Sequence, residues 1–377
     1  MKVEVHHRCA DVRSYRAERV KSLFNVEPDH ATRFDLEADL PGPEEDWQIG
    51  VIVGPSGSGK TSLGRAFGEL YEPTWPDGEA IIDAIGRDAA FDAVAGALAA
   101  VGLGSVPTWL RPYSVLSNGE RFRATMARLV CEAPEMAVID EFSSVVDRQI
   151  ACIGAGAFSK AWRRTSKRVV LLSCHYDILD WVQPDWLFDS ATGSLERWCL
   201  RRRPPIELEI RETDWRYWLL FEPHHYLKMP KMIAARCYVG FVDGQPVAHV
   251  AFSTRPGLVE ARACRLVIMP EWQGIGVGLR FLNAVCEAWA RGENRYGRPM
   301  PTLFHTSHPG LAAALRRARG WTQVSGQLYG ATKARSLETL RRSFERGKMK
   351  WSSSGSGFGG HFRAVQGFRF LMPEDRS

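Results

Sequence analysis

The chain has 377 residues, of which 45% are hydrophobic and 24% charged, an ordinary globular composition with room for two domains. No apolar run approaches the roughly 20 residues needed to cross a bilayer, so no membrane-spanning segment is expected. The net charge of +6 hides an asymmetry: from Pro204 onward 25 Lys and Arg face 14 Asp and Glu, a balance of +11, while the residues before it carry −5.

Two halves of opposite sign suggest domains with different partners, the basic one being suited to an anionic polymer. A solvated arginine-rich surface explains the same charge equally well. The N-terminus, Met1 to Ala10, carries Glu, His and Arg where a signal peptide needs an apolar core. Eight cysteines are scattered without a C-x-x-C pair, so neither a disulfide framework nor a thiolate zinc site is indicated, and a cytoplasmic location is expected.

The first strong signal in chain order is the apolar run Gln48 to Val53, suited to a buried strand. It leads into Gly54-Pro55-Ser56-Gly57-Ser58-Gly59-Lys60-Thr61, which satisfies G-x-x-x-x-G-K-[ST], and a helical stretch is expected from Ser62 to Tyr71. Glycines let backbone N–H groups converge on a phosphate, and a helix N-terminus adds its positive dipole end. Lys60 would reach the β- and γ-phosphates of ATP, and the Thr61 hydroxyl would ligate Mg²⁺. Leu116-Ser117-Asn118-Gly119-Glu120 comes next, followed by an amphipathic helix with Phe122, Met126, Leu129 and Val130 on one face. The apolar run Met136 to Ile139 ends in Asp140-Glu141, carboxylates placed to hold Mg²⁺ and to polarise a water. Asp147 and the strand Val169 to Ser173, which delivers His175, complete the half. Taken singly, Asp140 could cap a turn and His175 could be a satisfied loop histidine.

In this order, the glycine loop, Leu-Ser-Asn-Gly-Glu, the Asp-Glu strand end, Ser143-Ser144-Val145-Val146-Asp147 and the strand-end histidine resemble an ABC ATPase over about Phe34 to Leu200. The resemblance implies that Gly54 to Ser62 cradle the phosphates, that Thr61 and Asp140 hold the metal, and that Glu141 is the catalytic carboxylate. It also implies that His175 contacts the γ-phosphate. A head-to-tail homodimer follows from it, with Ser117 and Gly119 of one copy closing the ATP site of the other. Two departures stand out. Only 55 residues separate Lys60 from Leu116, short for the family, and no Gln occurs from Ser62 to Arg148. Transport is therefore not expected, hydrolysis could be slow, and ATP could serve as a switch. Phe34 and Trp47 are candidates for stacking on adenine, or else core residues.

Beyond Arg201-Arg202-Arg203-Pro204-Pro205, which reads as a linker, the pattern changes. Tyr238 to Val242 and Pro246 to Phe252 flank Asp243-Gly244 as a hairpin. A strand from Cys264 to Pro270 then enters Gln273-Gly274-Ile275-Gly276-Val277-Gly278 and a helix with Val277, Phe281, Val285 and Trp289 on one face, ending near Gly292. This is again an anion cradle, without the Lys-Thr of a nucleoside triphosphate loop. Hairpin, strand, Pro270, Gln273-x-x-Gly276-x-Gly278 and helix together resemble the GNAT acyltransferases over about Ile206 to Leu371. That implies acyl-CoA, with acetyl-CoA the expected donor, its pyrophosphate held by Gln273, Gly274, Gly276 and Gly278, and the strand through Val267 and Met269 lying beside the pantetheine arm.

For the acceptor, His225 and Tyr226 lie in a His-Tyr-Leu stretch similar to that of the bacteriophage Mom DNA-modification proteins, which implies that they line the acceptor site. A second candidate is His305-Thr306-Ser307-His308, which reads as a packed loop, as part of the acceptor site with Ser307, or as a metal site. Tyr329 is either a general acid or a core residue. Lys333 to Lys350 reads as a helix with one buried and one cationic face, either an ordinary solvated face or one suited to a nucleic-acid backbone, and Trp351 and Phe358 could stack on bases.

The expected architecture is α/β: an N-terminal P-loop ABC-type nucleotide-binding domain plus a C-terminal α+β GNAT-like domain. The expected boundaries are an extension packing on the ATPase at 1–33, the ATPase at 34–200, a linker at 201–205 and the acyltransferase at 206–377. The leading functional expectation is N-acylation of a DNA base by an enzyme whose ATP-dependent dimer positions it, with DNA the partner. The alternatives are an ATP-regulated N-acetyltransferase of a protein or small-molecule amine, and a non-catalytic ATP-dependent DNA clamp.

Overall fold

Apolar runs bounded by turn residues give strands, and 3.6-residue periodicity gives helices. The computed structural model describes residues 1–8, 14–24, 33–198, 201–227, 231–232, 234–254, 260–329, 338, 342 and 363–371. In chain order these form β1 (Lys2–Arg8), α1 (Tyr15–Phe24), β2 (Arg33–Asp39), β3 (Ile49–Val53), α2 (Lys60–Gly64), α3 (Ile81–Ala84), α4 (Phe91–Ala100) and α5 (Val106–Trp109). Then come α6 (Asn118–Glu132), β4 (Met136–Ile139), α7 (Arg148–Trp162), β5 (Arg168–Ser173), α8 (Leu179–Val182), β6 (Trp186–Asp189), β7 (Ser194–Arg197) and β8 (Glu209–Thr213). The remainder is α9 (Trp218–Phe221), β9 (Arg236–Val242), β10 (Gln245–Thr254), β11 (Ala261–Ile268), α10 (Val277–Ala290), β12 (Thr302–Thr306), α11 (Pro309–Arg317), β13 (Trp321–Gln327) and β14 (Val365–Phe370).

These elements group into two compact units. One joins Met1–Trp75 to Glu132–Pro204, and the other joins Pro76–Cys131 to Pro205–Ser377. The segment 76–131, which carries the Leu-Ser-Asn-Gly-Glu motif, thus packs with the C-terminal half, whereas the linear partition places it in 34–200.

In the first unit, a sheet of order β4-β5-β3-β6-β7 holds β3 between two parallel neighbours, with β7 antiparallel at one edge. Both faces of β3 are covered, so all five of its residues are buried and the strand reads as an unbroken apolar run. Trp47, Phe67 and Trp186 pack together beneath it, with ring centroids 5.5–5.9 Å apart. Trp47 also donates from Nε1 to the Gly42 carbonyl at 2.8 Å and lies under the Arg168 guanidinium. It is a core residue, which removes it as an adenine-stacking candidate; the Phe34 side chain lies outside what is described. The antiparallel pair β1–β2 contributes Val5 and Ala38 to the same core, and Leu40 just after β2 joins them.

The helix after the glycine loop is shorter than expected. It ends at Gly64, where a Cβ would sit 2.7 Å from Leu172, and Leu70 instead bridges Val138 in extended conformation while Tyr71 N donates to the Val138 carbonyl at 2.7 Å. Packing against the sheet has overridden local helix propensity.

The second unit is a seven-stranded sheet of order β13-β14-β12-β11-β10-β9-β8. The expected hairpin is β9–β10, with Asp243 and Gly244 both at positive φ (48° and 76°), as a tight two-residue connection requires. Helix α10 runs to Ala290 and buries Val277, Phe281, Val285 and Trp289, the expected face. Below it lies a core with Phe252, Phe304, Phe368 and Phe370. Across the other part of the sheet, Trp218, Phe221, Phe241 and Val267 form a smaller aromatic core. Tyr329 is 77% exposed, which corrects its reading as a core residue. Lys333 to Lys350 lies almost wholly, and Trp351 and Phe358 entirely, outside the described residues.

Candidate functional site

Where β3 ends, the chain leaves the sheet with Gly54 at φ 154°, and Gly57 and Gly59 adopt the left-handed conformation at 79° and 81°. Gly59 is the N-cap of α2, so the loop's backbone N–H groups and the helix N-terminus share one focus. Lys60 Nζ donates back to the Gly54 and Pro55 carbonyls at 2.9 and 2.7 Å, which holds its charge inside the loop. Ser58 Oγ donates to the Pro55 carbonyl at 2.8 Å, and Ser56 is exposed at the loop's rim. Ser62 lies 2.7 Å from His7 Nε2, so β1 reaches the base of the same loop.

Opposite the loop, β4 delivers its two carboxylates. Thr61 Oγ1 donates to Asp140 Oδ2 at 2.7 Å, which brings together the two groups read as Mg²⁺ ligands. Asp140 Oδ1 accepts from the Glu141 N–H at 2.8 Å, and Glu141 is exposed with φ 49°. His175 follows β5 and is half-buried; burial and the nearby Arg148 cation hold it below the ordinary histidine range. Arg148 itself pairs with Asp177, and Asp147 caps α7 by accepting from Gln149 N at 2.9 Å. The residues present fit a nucleoside triphosphate with its metal: an N–H cradle, one lysine, one hydroxyl and carboxylates at the strand end.

The Leu-Ser-Asn-Gly-Glu motif begins α6. Ser117 Oγ accepts from Glu120 N at 3.3 Å while Glu120 Oε2 accepts from Ser117 N at 2.9 Å, a reciprocal capping box. Burial alone would raise the Glu120 pKa, but hydrogen bonds from Ser117 and Thr108 bring it below the usual carboxylate range. Ser117 is exposed and Gly119 half-buried, and Ser117 is also a structural cap, a role not separately read from the motif. Val130 is only half-buried, and Arg123 joins the buried face in its place.

In the second unit, β11 pairs β10 with a bulge between His249 and Ala251, where Arg265 takes φ 55°. On its other side β11 runs parallel to β12, but only Ala261–Ala263 pair with Thr302–Phe304. Past those residues β11 and β12 no longer pair, and Val267 and Met269 lie beyond the paired stretch on one side and Ser307 on the other. Such a split frees backbone groups to meet an extended ligand. Next along the chain, Gly274 and Gly276 take φ 92° and 94°, and Gly276 is the N-cap of α10. A Cβ on Gly278 would sit 2.9 Å from Ile268, so the helix start packs close on the strand. Gln273 Nε2 donates to the Ile268 carbonyl at 2.8 Å and ties the turn to the strand end. These residues fit a diphosphate at the turn and an extended arm in the split.

His225 and Tyr226 stack with ring centroids 5.1 Å apart, and Trp218 meets the His225 edge. His225 Nδ1 lies 2.7 Å from the Leu227 carbonyl and 3.2 Å from the Leu227 N–H; the tautomer that donates to the carbonyl leaves the Nε2 lone pair as acceptor. Burial, and after it the Arg265 and Arg363 charges, keep this histidine below its ordinary range despite the Leu227 bond. Arg265 in turn feels Arg262 and Arg363 as like charges and Tyr226 as a partner. Two arginines, Arg265 at the bulge and Arg363, thus bear on His225, and Arg262 bears on Arg265. His305 is half-buried, opposite Gly367, and Ser307 Oγ is buried with no hydrogen-bond partner among the described residues. His308 is a packed residue: Nδ1 accepts from Leu311 N at 3.2 Å and caps α11, while Nε2 donates to the Gly104 carbonyl at 3.0 Å. No group of three potential metal ligands occurs among the described residues, so the metal reading of this loop gains no support.

Sequence reasoning passed over His249. It sits at 0% exposure within β10, packed against Trp215, Trp218 and Phe221, and donates from Nδ1 to the Arg265 carbonyl at 3.1 Å. Its Nε2 has no partner among the described residues, and burial depresses its pKa to about 4. The signal was present as a lone histidine in the apolar run Val247 to Phe252.

Residues 207–316 match the acetyltransferase (GNAT) family model. No curated protein matches the chain. Among solved structures, it is similar to one described as a cobalt transport ATP-binding protein, with TM-score 0.34 and 22% identity over 48% of this chain and 79% of the other. A part of an ABC transporter complex from Clostridium perfringens gives TM-score 0.32 and 16% identity over 38% and 72%, and a dimeric bacterial ABC transporter cassette gives 0.32 and 15% over 40% and 85%. Those scores are too low to carry weight alone, and the N-terminal reading rests on the loop, strand-end and capping residues above. Among the described residues, no helix is long and apolar enough to cross a membrane. The chain thus joins an N-terminal half whose motifs resemble those of ABC-type ATPases to a C-terminal half of which residues 207–316 match the acetyltransferase (GNAT) family model.

Proposed function

We propose that the chain is an ATP-controlled N-acyltransferase whose acceptor is an amino group on a nucleic-acid base. The donor half of the reading rests on the split between β11 and β12 ending at the glycine turn of α10. The acceptor half rests on one observation above others: the charges of Arg265 and Arg363 bear on His225, which stacks on Tyr226, a cationic and aromatic setting suited to a phosphate-bearing base.

In the transfer step, the acceptor nitrogen forms a bond to the thioester carbonyl carbon, the carbon–sulfur bond breaks, and the sulfur leaves with its electron pair. The nitrogen's proton passes to His225 Nε2 and from there to the departing sulfur. His225 can accept it because burial keeps the ring neutral at pH 7. Tyr226 holds the acceptor ring by stacking, and Ser307 offers a buried hydroxyl that has no partner among the described residues. A base amine conjugated to its ring is a weak nucleophile, so orientation supplies much of the gain. If the base comes from a duplex, flipping it out costs a few kcal/mol.

ATP is the control. Lys60 and the loop from Gly54 to Ser62 bind the phosphates, Thr61 and Asp140 would hold Mg²⁺, Glu141 orients water, and His175 faces the γ-phosphate. Ser117 and Gly119 of a second copy close the site, so ATP acts as reversible glue between copies. Mass spectrometry of nucleosides from the DNA of expressing cells tests the proposal, with Lys60→Ala and Gly276→Glu in parallel. A new acyl adduct that disappears with Gly276→Glu supports it. Unmodified DNA from soluble, well-expressed protein overturns the base acceptor, and protein or small-molecule amines then become the acceptors to assay.

A further inference from the structure

The contacts that hold Gln273 come from an unexpected direction. Gln273 Oε1 accepts from Gly104 N at 2.9 Å, just after α4, and a Cβ on Gly104 would stand 2.7 Å from that oxygen. Gly102, at φ 88°, lies so close that a Cβ would stand 2.5 Å from the Gln273 carbonyl oxygen. Arg123, on α6 and 4% exposed, donates from Nη1 to the Gly102 carbonyl at 2.9 Å and also to the Pro270 carbonyl. His308 donates to the Gly104 carbonyl, and Trp109 lies on the His308 ring at 5.5 Å.

A buried arginine spanning two backbone carbonyls is a costly element to place where simple packing would serve. Here it joins Pro270, at the root of the acyl-donor turn, to the helix that begins with the nucleotide motif. Ser117 and Arg123 are six residues apart on that helix, about 9 Å along a rigid rod.

We propose that Arg123 is a positioning residue through which nucleotide held at Ser117 and Gly119 sets the conformation of the Pro270–Gly278 turn, so that nucleotide and acyl-CoA bind cooperatively. This rests on the reading of those two motifs as nucleotide and acyl-CoA contacts. When a partner copy's nucleotide fixes the N-terminus of α6, the Arg123 bonds fix the turn, and the turn no longer loses freedom on binding the donor. Linkage makes the effect reciprocal: the donor tightens nucleotide binding by the same factor.

Titration calorimetry on the full-length protein tests it, with acetyl-CoA titrated with and without saturating Mg²⁺ and a non-hydrolysable ATP analogue, and then the converse. The expected result is a gain of about five-fold or more in each affinity, equal in both directions. Arg123→Met should bring that factor to about one, Arg123→Lys should restore part of it, and Gly104→Ala should give an intermediate value. A purely structural role would weaken binding but leave the factor unchanged, and that result overturns the proposal. So does a wild-type protein that binds both ligands with independent affinities, even if Arg123→Met folds poorly. Failure of the wild type to bind acetyl-CoA or the analogue at all is a different outcome, and it overturns the underlying site assignment as well.

Discussion

Two strand–glycine turn–helix units lie in this chain, one from Val53 into α2 and one from Ile268 into α10, and each uses a left-handed glycine, Gly59 or Gly276, as N-cap. Their backbones offer the same thing, a set of N–H groups at a helix end. What separates them is the neighbourhood. The first follows a strand flanked on both sides by parallel partners, and a neighbouring strand end brings Asp140 to Thr61 beside Lys60. The second follows a strand whose parallel partner leaves after three residue pairs, with Val277 where the first has Lys60. A charged cradle with a carboxylate suits a triphosphate and its metal, while a neutral cradle beside an open split suits a diphosphate on an extended arm. The comparison teaches that the turn chooses an anion and the sheet around it chooses which one.

The sharpest way to break that contrast is to change one cradle and read both ligands. Lys60→Ala should lower ATP affinity by roughly 100-fold, the scale of losing a desolvated charge pair, and leave acetyl-CoA binding without nucleotide unchanged. Equal loss of both ligands in calorimetry would mean that the cradles are not separate. Gly276→Glu combines a strained left-handed side chain with a negative charge in the second cradle. Acetyl-CoA affinity should fall by about 30-fold or more while ATP binding without donor persists.

An effect on stability rather than on binding concerns the cores behind the cradles. His249 is buried neutral with its pKa pushed down to about 4, whereas the unfolded chain takes up a proton near 6.5. Below pH 6.5 the unfolded state therefore binds more protons, and stability falls as pH drops towards 4, by on the order of 3 kcal/mol. Urea unfolding of the wild type and His249→Gln between pH 7 and 4.5 should show the variant with the shallower decline; parallel declines would place the titration elsewhere. The smallest effect is expected at the α6 cap, where Ser117→Ala should cost about 1 kcal/mol in thermal unfolding as well as weakening nucleotide-dependent association. Weaker association with no loss of stability would mean that the capping bonds contribute nothing in solution.

Much of this was legible from local pattern. The P-loop, the hairpin at Asp243-Gly244 and the buried face of α10 depend on residues close in sequence, whose spacing fixes their geometry. The extent of the helix after Lys60 was not, because packing of Gly64 on Leu172 and the Leu70–Val138 bridge ended it early. Nor was Tyr329 legible, as one tyrosine after a strand carries no signal of which side faces solvent.

By itself the sequence determined the two chemistries and their order, since a phosphate loop needs its glycines and lysine contiguous in the chain. Only the tertiary structure decided which distant residues meet. It put Asp140 against Thr61, brought Arg265 and Arg363 to bear on His225, and set Arg123 and Gly104 on the Pro270–Gln273 turn. The pairs in direct contact are 79 to 169 residues apart, and a contact at such separation is set by the packing of whole elements, which no local pattern records.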